Sequence, residues 1–88
     1  MTWRVEVAPR AVRTLAGLDR AARTRVRRFL SERLETEADP RHLGRPLSGP
    51  LAGLWRYRVG DYRLICRIED RRCVVLVLEI GHRREVYR

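Results

Sequence analysis

Arg56 and Arg58 precede a Gly60-Asp61 pair, and Arg63 and Arg67 follow it, each pair separated by an even number of positions. Guanidinium groups gathered on one surface hold phosphates through bidentate, charge-assisted hydrogen bonds. They also stabilise charge that develops on a phosphorane. Toward the C-terminus, His82, Arg83, Arg84 and Tyr87 extend the same set. No carboxylate cluster stands ready for Mg²⁺, and the two cysteines and two histidines lack metal-ligand spacing. No metal site and no cofactor are therefore expected. A Gly-rich phosphate loop, a Ser/His/Asp set and a Cys/His set are absent from the sequence. What remains for RNA is attack by its own 2′-hydroxyl on the adjacent phosphate, which needs geometry, proton transfer and anion stabilisation.

Tyr87 is a candidate for the proton transfer. Its phenol, with a free pKa of ~10, falls toward neutrality beside several arginines. It is equally suited to stacking on a base, or to packing back on the body of the protein as an ordinary terminal aromatic. His82 has the better intrinsic pKa, and its plain alternative is a solvated strand-end residue.

The elements that must position these residues follow from periodicity. Trp55–Val59 and Tyr62–Ile68 alternate at period two around Gly60-Asp61, the signature of a hairpin with a two-residue loop. In that register Val59 faces Tyr62, Arg58 faces Arg63, Tyr57 faces Leu64 and Arg56 faces Ile65. Trp55, Tyr57, Val59, Tyr62, Leu64 and Cys66 form a core face; Arg56, Arg58, Arg63 and Arg67 share the other with Ile65. Like charges directly opposite one another destabilise a sheet, so the Arg58/Arg63 pair reads as an anion-binding surface.

Thr2–Val7 alternates as a first strand, with Trp3, Val5 and Val7 inward. Pro9 suits the first position of a helix carrying Ala11, Val12, Leu15 and Ala16, with Gly17 as its stop. Asp19 caps a second helix whose stripe is Ala22, Val26, Phe29, Leu30 and Leu34, with Arg20, Arg23, Arg27, Arg28 and Glu32 mostly off it. The punctuated stretch from Asp39 to Gly53, which includes His42 and Arg45, reads as one long loop. Asp70-Arg71-Arg72 is a turn, and Cys73–Ile80 is a strand covered on both faces, ended by Gly81. The expected architecture is α+β: an N-terminal strand and an antiparallel helical hairpin packed on one face of a small, mostly antiparallel four-stranded sheet whose other face is open. Residues 1–88 make one domain.

Composition bounds the function. The formal charge is +9, and all 20 basic residues are arginine. Such a surplus favours a polyanionic partner, nucleic acid or an acidic protein. A uniform choice of arginine also reflects base composition, so placement carries more weight than number. No apolar run approaches the ~20 residues of a membrane helix, and the N-terminus lacks a signal-peptide middle. A cytoplasmic protein with free thiols at Cys66 and Cys73 and no membrane partner is expected.

LWRYRVGDYRLICRIED, followed by VVLVLEIGHRREVY, resembles the RelE/ParE superfamily of toxins from toxin–antitoxin modules. The most specific pieces are the R-x-G-x-Y-R turn at Arg58–Arg63 and the Gly81–Tyr87 ending. The resemblance implies a metal-independent endoribonuclease that cleaves mRNA on the ribosome and is held by a small, acidic, partly disordered antitoxin. It implies catalytic roles for Arg56, Arg58, Arg63, Arg83 and Tyr87. Arg63 and Arg83 would neutralise the scissile phosphate, Arg83 would protonate the leaving oxygen, and Tyr87 would orient the attacking nucleotide by stacking or as a base. Arg67, His82 and Arg84 would contact RNA or ribosome. The best-known RelE pattern has lysines at the positions of Arg56 and Arg58. Arginine stays charged where lysine can give up a proton, so a base, if needed, is Tyr87 or His82. The same resemblance carries two alternatives: a ParE-like inhibitor of DNA gyrase that cuts no RNA, and a toxin reduced to binding its antitoxin.

Overall fold

The computed structural model describes residues 2–82. Strand β1 (Arg4–Val7) leads into helices α1 (Pro9–Gly17) and α2 (Arg20–Arg28). A π-helical turn, Phe29–Leu34, prolongs α2. Strands β2 (Arg45–Pro46), β3 (Trp55–Val59), β4 (Tyr62–Glu69) and β5 (Val74–His82) follow.

The helix signals act as expected. Pro9 opens α1, and Asp19 Oδ1 accepts the Ala22 N–H at 2.9 Å to start α2. Val26, Leu30 and Leu34 are buried, and Phe29 packs at 5.8 Å from the Tyr57 ring. The π-helical turn carries Glu35 to β1, where its Oε2 accepts the Val5 N–H at 3.0 Å.

The sheet has five strands, one more than expected, in the order β1-β5-β4-β3-β2. The extra strand comes from the Pro/Gly stretch. Arg45 and Pro46 pair with Arg56 and Trp55, and an edge strand tolerates a proline because its missing N–H need not serve the ladder. Pro40–Leu43 and Gly49–Leu51 on either side are 3₁₀ turns, so the stretch is more ordered than a loop. β1 runs parallel to β5; the other pairings are antiparallel.

The β3–β4 register matches the expected one at every pair from Arg56/Ile65 to Val59/Tyr62. Gly60 has φ +59° and Asp61 is not in the left-handed region, which fits a two-residue turn with glycine first. In β5 the pairing skips Leu78: Cys66 pairs with Val77, but Ile65 pairs with Glu79. Simple alternation from Val75 and Val77 would turn Glu79 into the core. The bulge sends Glu79 out and brings Ile80 in opposite Leu64, and Val75, Val77 and Ile80 are all buried. β5 also continues through Gly81, which lies opposite Arg63 and does not end the strand.

The face away from the helices is not open throughout. Val74 is fully buried between its lateral partners Arg4 and Glu69, and Ile65 is 4% exposed. Along this end of the face runs a chain of ion pairs, Arg4–Glu6–Arg72–Glu69–Arg67. No helix among the described residues is long and apolar enough to cross a membrane.

Candidate nucleic-acid interface

Register places the arginines in rows across the face away from the helices. Arg45, Arg56, Ile65 and Glu79 form one row across β2, β3, β4 and β5; Arg58, Arg63 and Gly81 form the next. Gly81, on the β5 side of Arg63, puts no side chain beside its guanidinium. Arg63 Nε and Nη1 are buried and have no hydrogen-bond partner among the described residues. Buried donors of this kind are rare in folded proteins and are satisfied by whatever acceptor arrives. Arg58 is exposed and makes no hydrogen bond or ion pair among the described residues.

Beneath this row the scaffold is closely packed. Tyr57 is fully buried, and its hydroxyl donates to the Pro40 carbonyl at 2.8 Å. Burial holds the phenol well above its ordinary pKa, so it remains a donor. Gly44 lies against the same ring: a Cβ there would stand 2.8 Å from it and 2.9 Å from the Arg56 carbonyl oxygen. The 3₁₀ turn and β2 are thereby seated directly beside β3.

The predicted residues divide. Arg56, Arg58 and Arg63 share one face as expected. Arg67 shares it too, but its Nε is 3.3 Å from Glu69 Oε2, so it belongs to the ion-pair chain. His82 corrects the expectation. It pairs laterally with Tyr62, on the side of the sheet that carries the helices, because alternation past Gly81 turns it there. Its ring meets Tyr62 edge-on at 5.9 Å, in a small cleft with Asp19, Arg25 and Asp61. Arg83, Arg84 and Tyr87 lie outside the described residues.

For Arg45, sequence reading left substrate contact and plain solvent exposure both open, and it is exposed. Its strand pairing brings it beside Arg56, and with Arg58 and His42 they line a cleft of about 560 Å³. Only the two-residue strand in the punctuated stretch would have revealed it, and that stretch is too short to show periodicity. Among the described residues no three of His, Cys, Asp or Glu are grouped to hold a metal ion. Both cysteines are free, Cys66 buried with its thiol pushed up by desolvation.

A small mixed sheet backed by two helices, with arginines in register on its far face, defines a compact basic α+β domain. Residues 5–87 match the model for the ParE toxin of type II toxin–antitoxin systems, and the chain belongs to this RelE/ParE superfamily. It is 42% identical over 50 residues to toxin RelG of Mycobacterium tuberculosis, a stretch covering 57% of this chain and 58% of that protein. The chain thus matches little more than half the length of that relative. The structure of the toxin–antitoxin complex RelBE2 from M. tuberculosis superposes with a TM-score of 0.85 at 33% identity, covering 93% of this chain and 92% of that one. The archaeal RelE–RelB complex from Pyrococcus horikoshii gives 0.73 at 31% identity, covering 98% and 100%.

Proposed function

We propose that the protein is a RelE-type toxin, a metal-independent endoribonuclease that cuts mRNA on the ribosome. The observation that carries this reading is Arg63. Two of its guanidinium nitrogens are buried without an acceptor among the described residues, in register with Arg58 and diagonal to Arg56. A phosphodiester oxygen would supply the missing acceptors. In the reaction the 2′-oxygen of one nucleotide bonds to the adjacent phosphorus and the bond to the 5′-oxygen breaks. A 2′,3′-cyclic phosphate and a 5′-hydroxyl result. The arginines neutralise the phosphorane; Tyr87 takes the proton from the 2′-hydroxyl or stacks on its base, and Arg83 donates a hydrogen bond to the leaving oxygen, which takes its proton from water.

The placement of His82 on the helix side of the sheet favours Tyr87 over His82 for the proton. A cognate antitoxin, acidic and folding as it binds, is the expected partner, in line with the RelB-bound state of the similar structures. The match to a ParE family model supports the second reading, inhibition of DNA gyrase without RNA cleavage.

The test is cleavage of an mRNA on programmed ribosomes by the wild type, Arg63→Ala, Arg83→Ala and Tyr87→Phe. A-site cleavage that Arg63→Ala and Arg83→Ala suppress by roughly 10²-fold or more is expected, the size of losing one preorganised charge-stabilising group. A folded, toxic protein that leaves the mRNA intact while stalling gyrase would sink the nuclease reading.

A further inference from the structure

Arg58 lines two cavities. One is the cleft with Arg45 and Arg56; the other, of about 510 Å³, lies between β3 and the α2 side and is lined by Arg25, Arg28, Phe29, Arg33 and Leu43 among others. β2 pairs only with Trp55 and Arg56, so at Arg58 the edge of β3 has no neighbouring strand among the described residues between the two spaces. Arg25 closes the far end over the hairpin tip: a Cβ on Gly60 would meet its Nη1 at 2.6 Å. Arg25 and Arg58 have no acidic partner among the described residues. Arg28 reaches Glu32 only at 3.9 Å in solvent, an exposed pair that contributes little and breaks easily. Arg33 stands over the Phe29 ring at 6.0 Å.

We infer that this second cleft is an RNA subsite, and that a single strand held at Arg63 continues past Arg58 around the free edge of β3 to Arg25 and Arg28. A basic groove with an aromatic side chain in its wall is what a single strand needs: guanidiniums for successive phosphates, flat surfaces for bases. The continuity through Arg58 favours a nucleic-acid strand over an acidic peptide. The inference rests on the RNA-binding half of the proposed function, not on cleavage.

The test compares fluorescence anisotropy of two labelled single-stranded RNAs, about four and about ten nucleotides long, on the full chain. Either site alone serves the short RNA; only the long one bridges both and gains from effective concentration. The long RNA should bind the wild type at least about 10-fold more tightly than the short one. Arg25→Glu/Arg28→Glu should lower the long RNA to the affinity of the short one and flatten its salt dependence by about 1.4 in logarithmic slope, two phosphate contacts' worth. Arg63→Ala should also remove the length advantage. Arg25→Lys/Arg28→Lys should keep it, separating charge from folding, and so should Arg10→Glu/Arg13→Glu on α1. An unchanged long-RNA affinity in Arg25→Glu/Arg28→Glu overturns the subsite, as does an equal loss in the α1 variant. So does a glutamate-rich peptide whose binding, and not RNA binding, depends on Arg25 and Arg28. Intact length dependence without cleavage on ribosomes would instead remove the nuclease reading and leave the subsite standing.

Discussion

Arg63 is held at a cost. Two buried guanidinium nitrogens without acceptors among the described residues destabilise the free protein, and Arg58 directly opposite adds repulsion. Arg63→Met keeps most of the side-chain volume and removes both penalties. It should therefore stabilise the protein by about 1 kcal/mol, read as a higher urea midpoint at unchanged m-value, while abolishing ribosomal cleavage. Loss of stability in Arg63→Met would mean that the guanidinium is satisfied in solution. Tyr57 predicts the reverse. Removing its hydroxyl in Tyr57→Phe strands the Pro40 carbonyl and should cost about 1–2 kcal/mol, measured by the same unfolding curves. At this scale the sequence was readable where period-two alternation fixed the face, as for Arg56, Arg58 and Arg63. It misled at His82, because a strand continuing through Gly81 reverses the side its successor faces.

At the scale of elements, the hairpin, both helix starts and the turn at Asp70–Arg72 follow from local chemistry: glycine first in a tight turn, Asp19 as a cap, Pro9 at a helix start. Three features were not legible because they are non-local. The two-residue β2 exists only through pairing with β3; the β5 bulge is set by which residues the core accepts; the π-helical turn positions Glu35 against β1. Gly44 tests the first. In Gly44→Ala the new methyl meets the Tyr57 ring and the Arg56 carbonyl, and overpacking against buried groups costs roughly 1–3 kcal/mol. Amide hydrogen exchange should quicken around residues 40–46, where the 3₁₀ turn and β2 sit, with the helices unaffected.

Across the whole molecule, charge is arranged in two populations. Arg58 and Arg63 pair with no carboxylate among the described residues, whereas Arg41 and Arg72 are tied to carboxylates. Arg41 bonds Asp70 at 2.6 Å and lies over Trp55 at 5.8 Å; Arg72 bonds Glu69 at 2.8 Å. These hydrogen bonds hold the Glu69 and Asp70 carboxyls below their ordinary values. The unfolded chain then binds more protons in mild acid than the folded one, so this contribution is present above the ordinary carboxylate range of ~4 and is lost as pH falls through the depressed values. Chemical denaturation between neutral pH and pH ~3 should show stability falling with acid, and Glu69→Gln/Asp70→Asn should shrink that fall.

The parallel pairing of β1 with β5 joins Arg4 to Val74, nearly opposite ends of the sequence. During synthesis the helices and the β3–β4 hairpin assemble from neighbours in the chain, but β1 has no strand partner until β5 emerges. Contacts so distant in sequence form late and slowly, and chains made from the N-terminus fold in the order their partners appear. Gly81, which completes the row with Arg58 and Arg63, arrives on that same last strand. The arginine row is therefore finished only once β5 has emerged, and a chain interrupted before β5 lacks both the strand and the row's last place.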